Sequence, residues 1–408
     1  MERISKNFIW MAAANAAGSV FSIAIFIYLA RKLEPTAFGY FSYAQTLIFY
    51  LMNFVDLGLA TYGIREIAKN KARASEYVSE IVSFRILVAV VLLTVLMAAV
   101  VFVDKGHTIK VLLMGSSLML FSSALASEWA FQGLEKMHMV FASFFSVGAM
   151  QLALFYLMVK GPDDLLIAPL AYVAAYVPVI VIFLRRLRFK PLLRIWDLKR
   201  IGTYLTSSLV IWCISIFAQV YNNFDIVILG FFRQGREVGD FTIARRVVGG
   251  IAFLLVFLAN AALPRFSSSF HANDMVQFKH SVRKFVKLGA ALTVLLFLPA
   301  IIFGKYIILA TVGSRYLEAR LPLGIMMAGL VLVLFNLPFS TALIAISREK
   351  DVLAQTLASA AMSVALNLFF MPRYGMVGAS ISFFLAEVLG LVWILMMYDR
   401  RINRAYSG

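Results

Sequence analysis

Apolar stretches of about 20 residues or more recur along the chain, and they are continuous rather than alternating, as in ILVAVVLLTVLMAAVVFV at 86–103. Alternation would suit barrel strands, whereas a continuous run predicts a helix whose backbone polar groups satisfy one another inside lipid. A span needs about 20 apolar residues. Twelve stretches qualify, near 8–30, 40–62, 78–103, 109–131, 138–159, 165–187, 202–231, 238–263, 282–304, 319–346, 351–371 and 376–398. The expectation is an all-α integral membrane protein with about 12 transmembrane helices. The first stretch is read as a span rather than a cleaved leader: its run is longer than an h-region and no small-residue cleavage site ends it.

Composition agrees. Of the 408 residues, 62% are hydrophobic and only 14% charged, against about 25% charged in soluble domains. The net charge of +17 has a topological explanation. With the N-terminus inside, about 24 Lys and Arg fall in cytoplasmic loops and about 11 outside, leaving Arg85, Arg245 and Arg246 within spans. That distribution satisfies the positive-inside rule and puts both termini in the cytoplasm. The densest loop, LRRLRFKPLLRIWDLKR at 184–200, carries seven basic residues and suits anchoring on anionic membrane lipids rather than nucleic acid.

This basic segment lies near the midpoint, which divides the chain into an N-terminal six-helix lobe (1–187), a cytoplasmic linker (188–201) and a C-terminal six-helix lobe (202–408). An offset of 200 aligns FGYFSYA (38–44) with VGDFTIA (238–244), and Arg65 with Arg265. Two lobes running in the same direction predict a pseudo-symmetric pair around a central cavity. No loop exceeds about 20 residues, and neither a G-x-x-x-x-G-K-[ST] loop nor a G-x-G-x-x-G turn occurs, so no nucleotide site is expected. Cys213 is alone and the four histidines lack ligand spacing; neither metal nor other cofactor is expected. Pro169, Pro178, Pro299, Pro322 and Pro338 mark hinges or static kinks.

The candidate chemistry lies in the charges placed inside spans, each costing at least about 2.5 kcal/mol near a helix centre unless it has a partner or water. Spans seven and eight turn near residue 235, so Asp225 and Arg245 are equidistant from the turn and lie at similar depth. The two either serve a site or satisfy each other. Asp56 and Arg85 stand in the same relation about a turn near 70, and Glu128 approaches the same face. Arg246 has no second acid in its hairpin and is the candidate to face a polar cavity, with Asn222 and Asn223 as polar lining. Glu387 in the last span is either a coupling-ion site or a buried neutral carboxyl. Trp129 and Trp393 are read as interface anchors.

FIWMAAANAAGSVFSIAIFIYLARKLEPTAFGYFSYAQTL, FVDLGLATYGIREIAKN, EWAFQGLEKM, NNFDIVILGF with VGDFTIARRV, and PRYGMVGASIS together resemble the polysaccharide transport branch of the multidrug/oligosaccharidyl-lipid/polysaccharide exporter superfamily. The resemblance covers nearly the whole chain. It implies a flippase, not an enzyme, that carries a polyprenyl-diphosphate-linked oligosaccharide such as an O-antigen unit from the cytoplasmic to the outer leaflet of the cell membrane by alternating access. It also implies that cations in the cavity receive the diphosphate, to which Arg245, Arg246 and Arg85 correspond by position. No coupling-ion motif matches residue by residue, so the driving ion, H+ or Na+, stays open. Two other readings stand beside this one: a multidrug-type cation-coupled exporter, and an intramembrane glycan polymerase or ligase dependent on outward acids such as Asp163 or Asp164.

Overall fold

The computed structural model describes residues 2–102, 105–190, 198–233, 235–272, 274–297 and 302–407. These residues are almost entirely helical, and no strand occurs among them. Eight helical stretches among the described residues are long and apolar enough to cross a membrane. Two of them, Lys6–Lys69 with 64 residues and Glu349–Ile402 with 54, exceed any bilayer at 1.5 Å rise per residue. Each is broken. Helix α1 (Glu2–Asp56) turns at Glu34, φ 64°, just before Pro35; the last helix (Glu349–Ser407) turns at Gly375, φ 54°. The eighth expected span lies on Arg236–His271, and the ninth on Met275–Leu292 with the π-helical turn Thr293–Phe297. Residues 298–301, including Pro299, lie outside the described residues. The protein is thus a multi-pass membrane protein.

Not all spans run uninterrupted. The second bends at Leu57 and Gly58, both with positive φ, and continues as α2 (Leu59–Lys69). The fourth is divided into three helices, His107–Ser117, Met119–Leu125 and Glu128–Gly133. Of the prolines, Pro169 and Pro322 sit in the first turns of their helices, where no amide bond is lost, while Pro178 and Pro338 lie inside.

The chain forms two compact units, 1–219 and 220–408. The division falls inside the helix Leu198–Phe232, beyond the basic segment where a linker was expected. Side chains tie the start of this helix to the first unit. The Trp212 indole donates to the Asn53 carbonyl at 3.0 Å, the Tyr50 hydroxyl donates to the Gln219 carbonyl at 2.8 Å, and the Asn53 amide donates to the Gln219 side chain. The core of this unit gathers Tyr62, Tyr77, Trp129, Phe131, Phe183 and Tyr204. In the second unit a separate core joins Phe266, Phe278, Phe285 and Ala342.

The 200-residue repeat has a structural counterpart inside each unit. Phe41, Ser42 and Ala44 are buried, and so are Phe241, Thr242 and Ala244. Each segment follows a backbone reversal with positive φ, at Glu34 and at Gly235.

Candidate functional site

In the first unit the charges collect where two spans are broken. Ala74–Phe102, whose other charged residues, Glu76 and Glu80, lie in its first two turns, carries Arg85, which is 4% exposed. Its guanidinium pairs with Asp56, donates to the Ala126 carbonyl at 3.3 Å and lies 5.9 Å from the Trp129 ring centroid. Asp56 in turn accepts from the Ala60 amide at 3.1 Å, tying off the break at 57–58. The Trp129 indole shares the Ala126 carbonyl at 3.2 Å. Backbone groups freed by a break in lipid must find partners, and Arg85, Asp56 and Trp129 supply them. Glu128 adds a second negative charge near Arg85 and accepts from the Ser143 hydroxyl at 2.7 Å. Arg85 is therefore compensated and enclosed, which favours a structural role over contact with an anion.

Trp129 was expected at the membrane interface. It is instead 4% exposed and packs against Gly63, where an added Cβ would come within 2.6 Å of Trp129 Cε3. Trp393 is half-buried.

In the second unit, Arg245 Nε stands 3.0 Å from Asp225 Oδ2. Asp225 Oδ1 also accepts from the Ile226 amide at 2.8 Å. The Arg245 guanidinium lies over Phe383, 5.1 Å from the ring centroid. Both charged side chains are buried, whereas Arg246, one residue on, is exposed. Neighbouring residues on a helix diverge by about 100°, and here this separates an enclosed arginine from an accessible one. Asn223 is exposed as well; the side chain of Asn222 lies outside those described. Gly249 and Gly250 are exposed with open space at their Cβ positions and share the face of Arg246 at the three- and four-residue spacing.

Glu387 is 4% exposed, and the span before the Gly375 turn brings polar side chains against its helix. Gln355 Nε2 donates to Ser359 Oγ at 3.2 Å, and both sit against Gly390, one turn beyond Glu387. No spacing rule revealed Phe383, Ser143 or the Ala126 carbonyl as partners, because each depends on tertiary contact.

Four acids near loops are engaged in backbone or ion-pair contacts. Asp164 accepts from the Lys160 and Gly161 amides at 2.8 and 3.2 Å. Glu237 accepts from the Met376 amide at 3.2 Å. Arg236 lies 3.1 Å from Glu318 and 3.6 Å from fully buried Asp240. Asp104 lies outside the described residues.

Residues 4–270 match the polysaccharide biosynthesis protein family. Over 97% of its length the chain is 22% identical to the "Putative O-antigen transporter" of Escherichia coli (strain K12), of which it covers 97%. It is 25% identical over 65% of its length to the protein of the same name from Shigella dysenteriae, covering 67% of that relative. Its fold is similar to that of the lipid II flippase MurJ in an inward closed conformation, with a TM-score of 0.73 at 13% identity over 96% of this chain and 87% of that one. An inward-facing multidrug resistance transporter of the MATE family is also similar, with a TM-score of 0.68 at 15% identity over 94% and 95% of the two chains. Together these likenesses agree with the motifs of the sequence, and the chain belongs to the polysaccharide biosynthesis protein family.

Proposed function

We propose that this protein is a flippase that moves a polyprenyl-diphosphate-linked oligosaccharide from the cytoplasmic to the outer leaflet of the cell membrane. The observation that carries the reading is the full-length likeness to O-antigen transporters. The pattern of charge in the second unit supports it: Asp225 balances Arg245, and Arg246 presents a second cation at an exposed position. A guanidinium donates two parallel hydrogen bonds to a phosphate in a fixed plane. In this reading the lipid tail stays in the bilayer while Arg246, with Asn223 and Asn222 beside it, receives the diphosphate head. Alternating access between lobes, a cytoplasmic location for both termini and an H+ or Na+ coupling role for Glu387 belong to the same proposal.

A multidrug-type exporter is the second reading, favoured by the likeness to the MATE fold. The two separate by transport. Purified protein reconstituted in vesicles is expected to translocate a fluorescent polyprenyl-diphosphate glycan and to leave cationic dyes unmoved; the reverse outcome supports the exporter. Within the flippase reading, Arg246→Ala should slow translocation and Arg246→Lys should restore part of it. Normal transport by both variants at normal protein levels removes Arg246 from the site.

A further inference from the structure

One feature of the first unit serves neither the charge centre at Arg85 nor the proposed substrate path. A cavity of about 290 Å³ opens between the turn 133–137, the start of the helix Met137–Met158 and the end of the helix Ala168–Arg186. Phe131, Leu134 and Leu187 form an apolar wall, while Lys136, His138 and Arg186 contribute polar ends. All three polar residues are exposed.

No described carboxylate lies within ion-pair distance of Lys136 or Arg186. The acid next in sequence, Glu135, is turned aside at φ 59° and held by Lys71 Nζ at 2.7 Å. Arg186 donates to the Met139 sulfur at 3.1 Å, a weak acceptor that keeps the guanidinium at the cavity without neutralising it. Two permanent cations and an imidazole thus border one small space from which the local acid has been withdrawn.

The cavity lies at the end of the unit where the basic turns gather. Lys71 in the turn 71–73 meets Glu135, and the Ser75 hydroxyl donates to the Arg188 carbonyl at 2.9 Å. Along each helix away from this end the surface becomes apolar: Ile182, a turn before Arg186, is 49% exposed, and Phe145, two turns beyond His138, is 48% exposed. A charged rim with an apolar flank has the polarity profile of a bilayer interface. Basic pockets between membrane helices bind anionic headgroups, and a cavity of this size fits a phosphate with a small polar substituent.

We propose that Lys136, His138 and Arg186 form a binding site for the phosphate headgroup of an anionic membrane lipid, with the acyl chains lying along the exposed face marked by Ile182 and Phe145. The site is independent of the flippase reading, since it involves none of the residues assigned to the glycan.

The test uses the full chain in detergent, measured by native mass spectrometry against phosphatidylglycerol, phosphatidylcholine and inorganic phosphate. Phosphatidylglycerol should be retained in preference to phosphatidylcholine, and inorganic phosphate should not displace it. A Lys136→Gln/Arg186→Gln double variant should lose on the order of thirtyfold in phosphatidylglycerol affinity. An Arg185→Gln/Arg188→Gln variant of equal net charge should keep it. Lys136→Arg, which preserves the charge, should bind as the parent does and guards against misfolding as the cause of a loss. Equal losses in the two double variants reduce the effect to bulk surface charge and overturn the proposal. So does equal retention of the two lipids, or displacement by inorganic phosphate.

Discussion

Arg245 is enclosed between a carboxylate and an aromatic face, with Asp225 Oδ2 at 3.0 Å and the Phe383 ring centroid at 5.1 Å. The arginine beside it in sequence is exposed. This difference predicts different phenotypes for neighbouring residues. Removing one member of a buried pair strands the other, at a cost of about 3–5 kcal/mol. Asp225→Ala and Arg245→Ala should each lower the melting temperature of the purified protein sharply, and an Asp225→Arg/Arg245→Asp exchange should recover part of the loss. Arg246→Ala should leave stability within about 0.5 kcal/mol. Comparable destabilisation at 245 and 246 would contradict the assignment of roles.

Gly63 and Trp129 give a second test. The indole occupies the place of the missing side chain, with Trp129 Cε3 only 2.6 Å from where a Cβ would stand. Gly63→Ala forces the ring to move in a filled core and should cost about 1–3 kcal/mol. Because the collision is with one side chain, Gly63→Ala/Trp129→Leu should be more stable than the sum of the two single changes. Thermal unfolding of the four proteins in a double-mutant cycle measures the coupling. Additivity would show that backbone strain, not the ring, sets the cost.

Gly375 turns the chain between the last two spans at φ 54° and ψ −132°. Residues with a Cβ avoid this region, at a cost of about 1–3 kcal/mol. The Glu237 carboxylate carbon would also lie 3.1 Å from the added Cβ, while that side chain accepts from the Met376 amide. Gly375→Ala should therefore destabilise, and Glu237→Ala should relieve only the steric part. Complete rescue by Glu237→Ala would place the whole cost in the collision and none in the backbone.

The sequence discloses the spans and the two charged hairpins for the same reason: both depend on local spacing. A fixed rise per residue puts Asp225 opposite Arg245 wherever the turn sits at 235. The interruption at 126–127 was not read from the sequence, although Ser127 and Glu128 flank it, because the Arg85 guanidinium that helps satisfy the freed Ala126 carbonyl comes from another helix. Trp129 could not be distinguished from an interface anchor because an indole suits both settings; Gly63 decides between them. The contacts of Asn53 and Tyr50 with Gln219 were equally hidden, since these residues meet across more than 150 positions of sequence.

In both intramembrane pairs the acid precedes the base along the chain: Asp56 before Arg85, Asp225 before Arg245. During synthesis each arginine thus emerges after its counter-charge is already present. An unpaired arginine at a helix centre opposes insertion by roughly 2.5 kcal/mol or more, and a waiting carboxylate on the preceding helix reduces that opposition. Chain order thus predicts that each of these two arginines enters the bilayer with its counter-charge already in place. Insertion assays on nascent chains should show Asp225→Ala impairing membrane entry of the Arg245 helix more than Asn223→Ala does; equal entry would confine the pair's role to the finished fold.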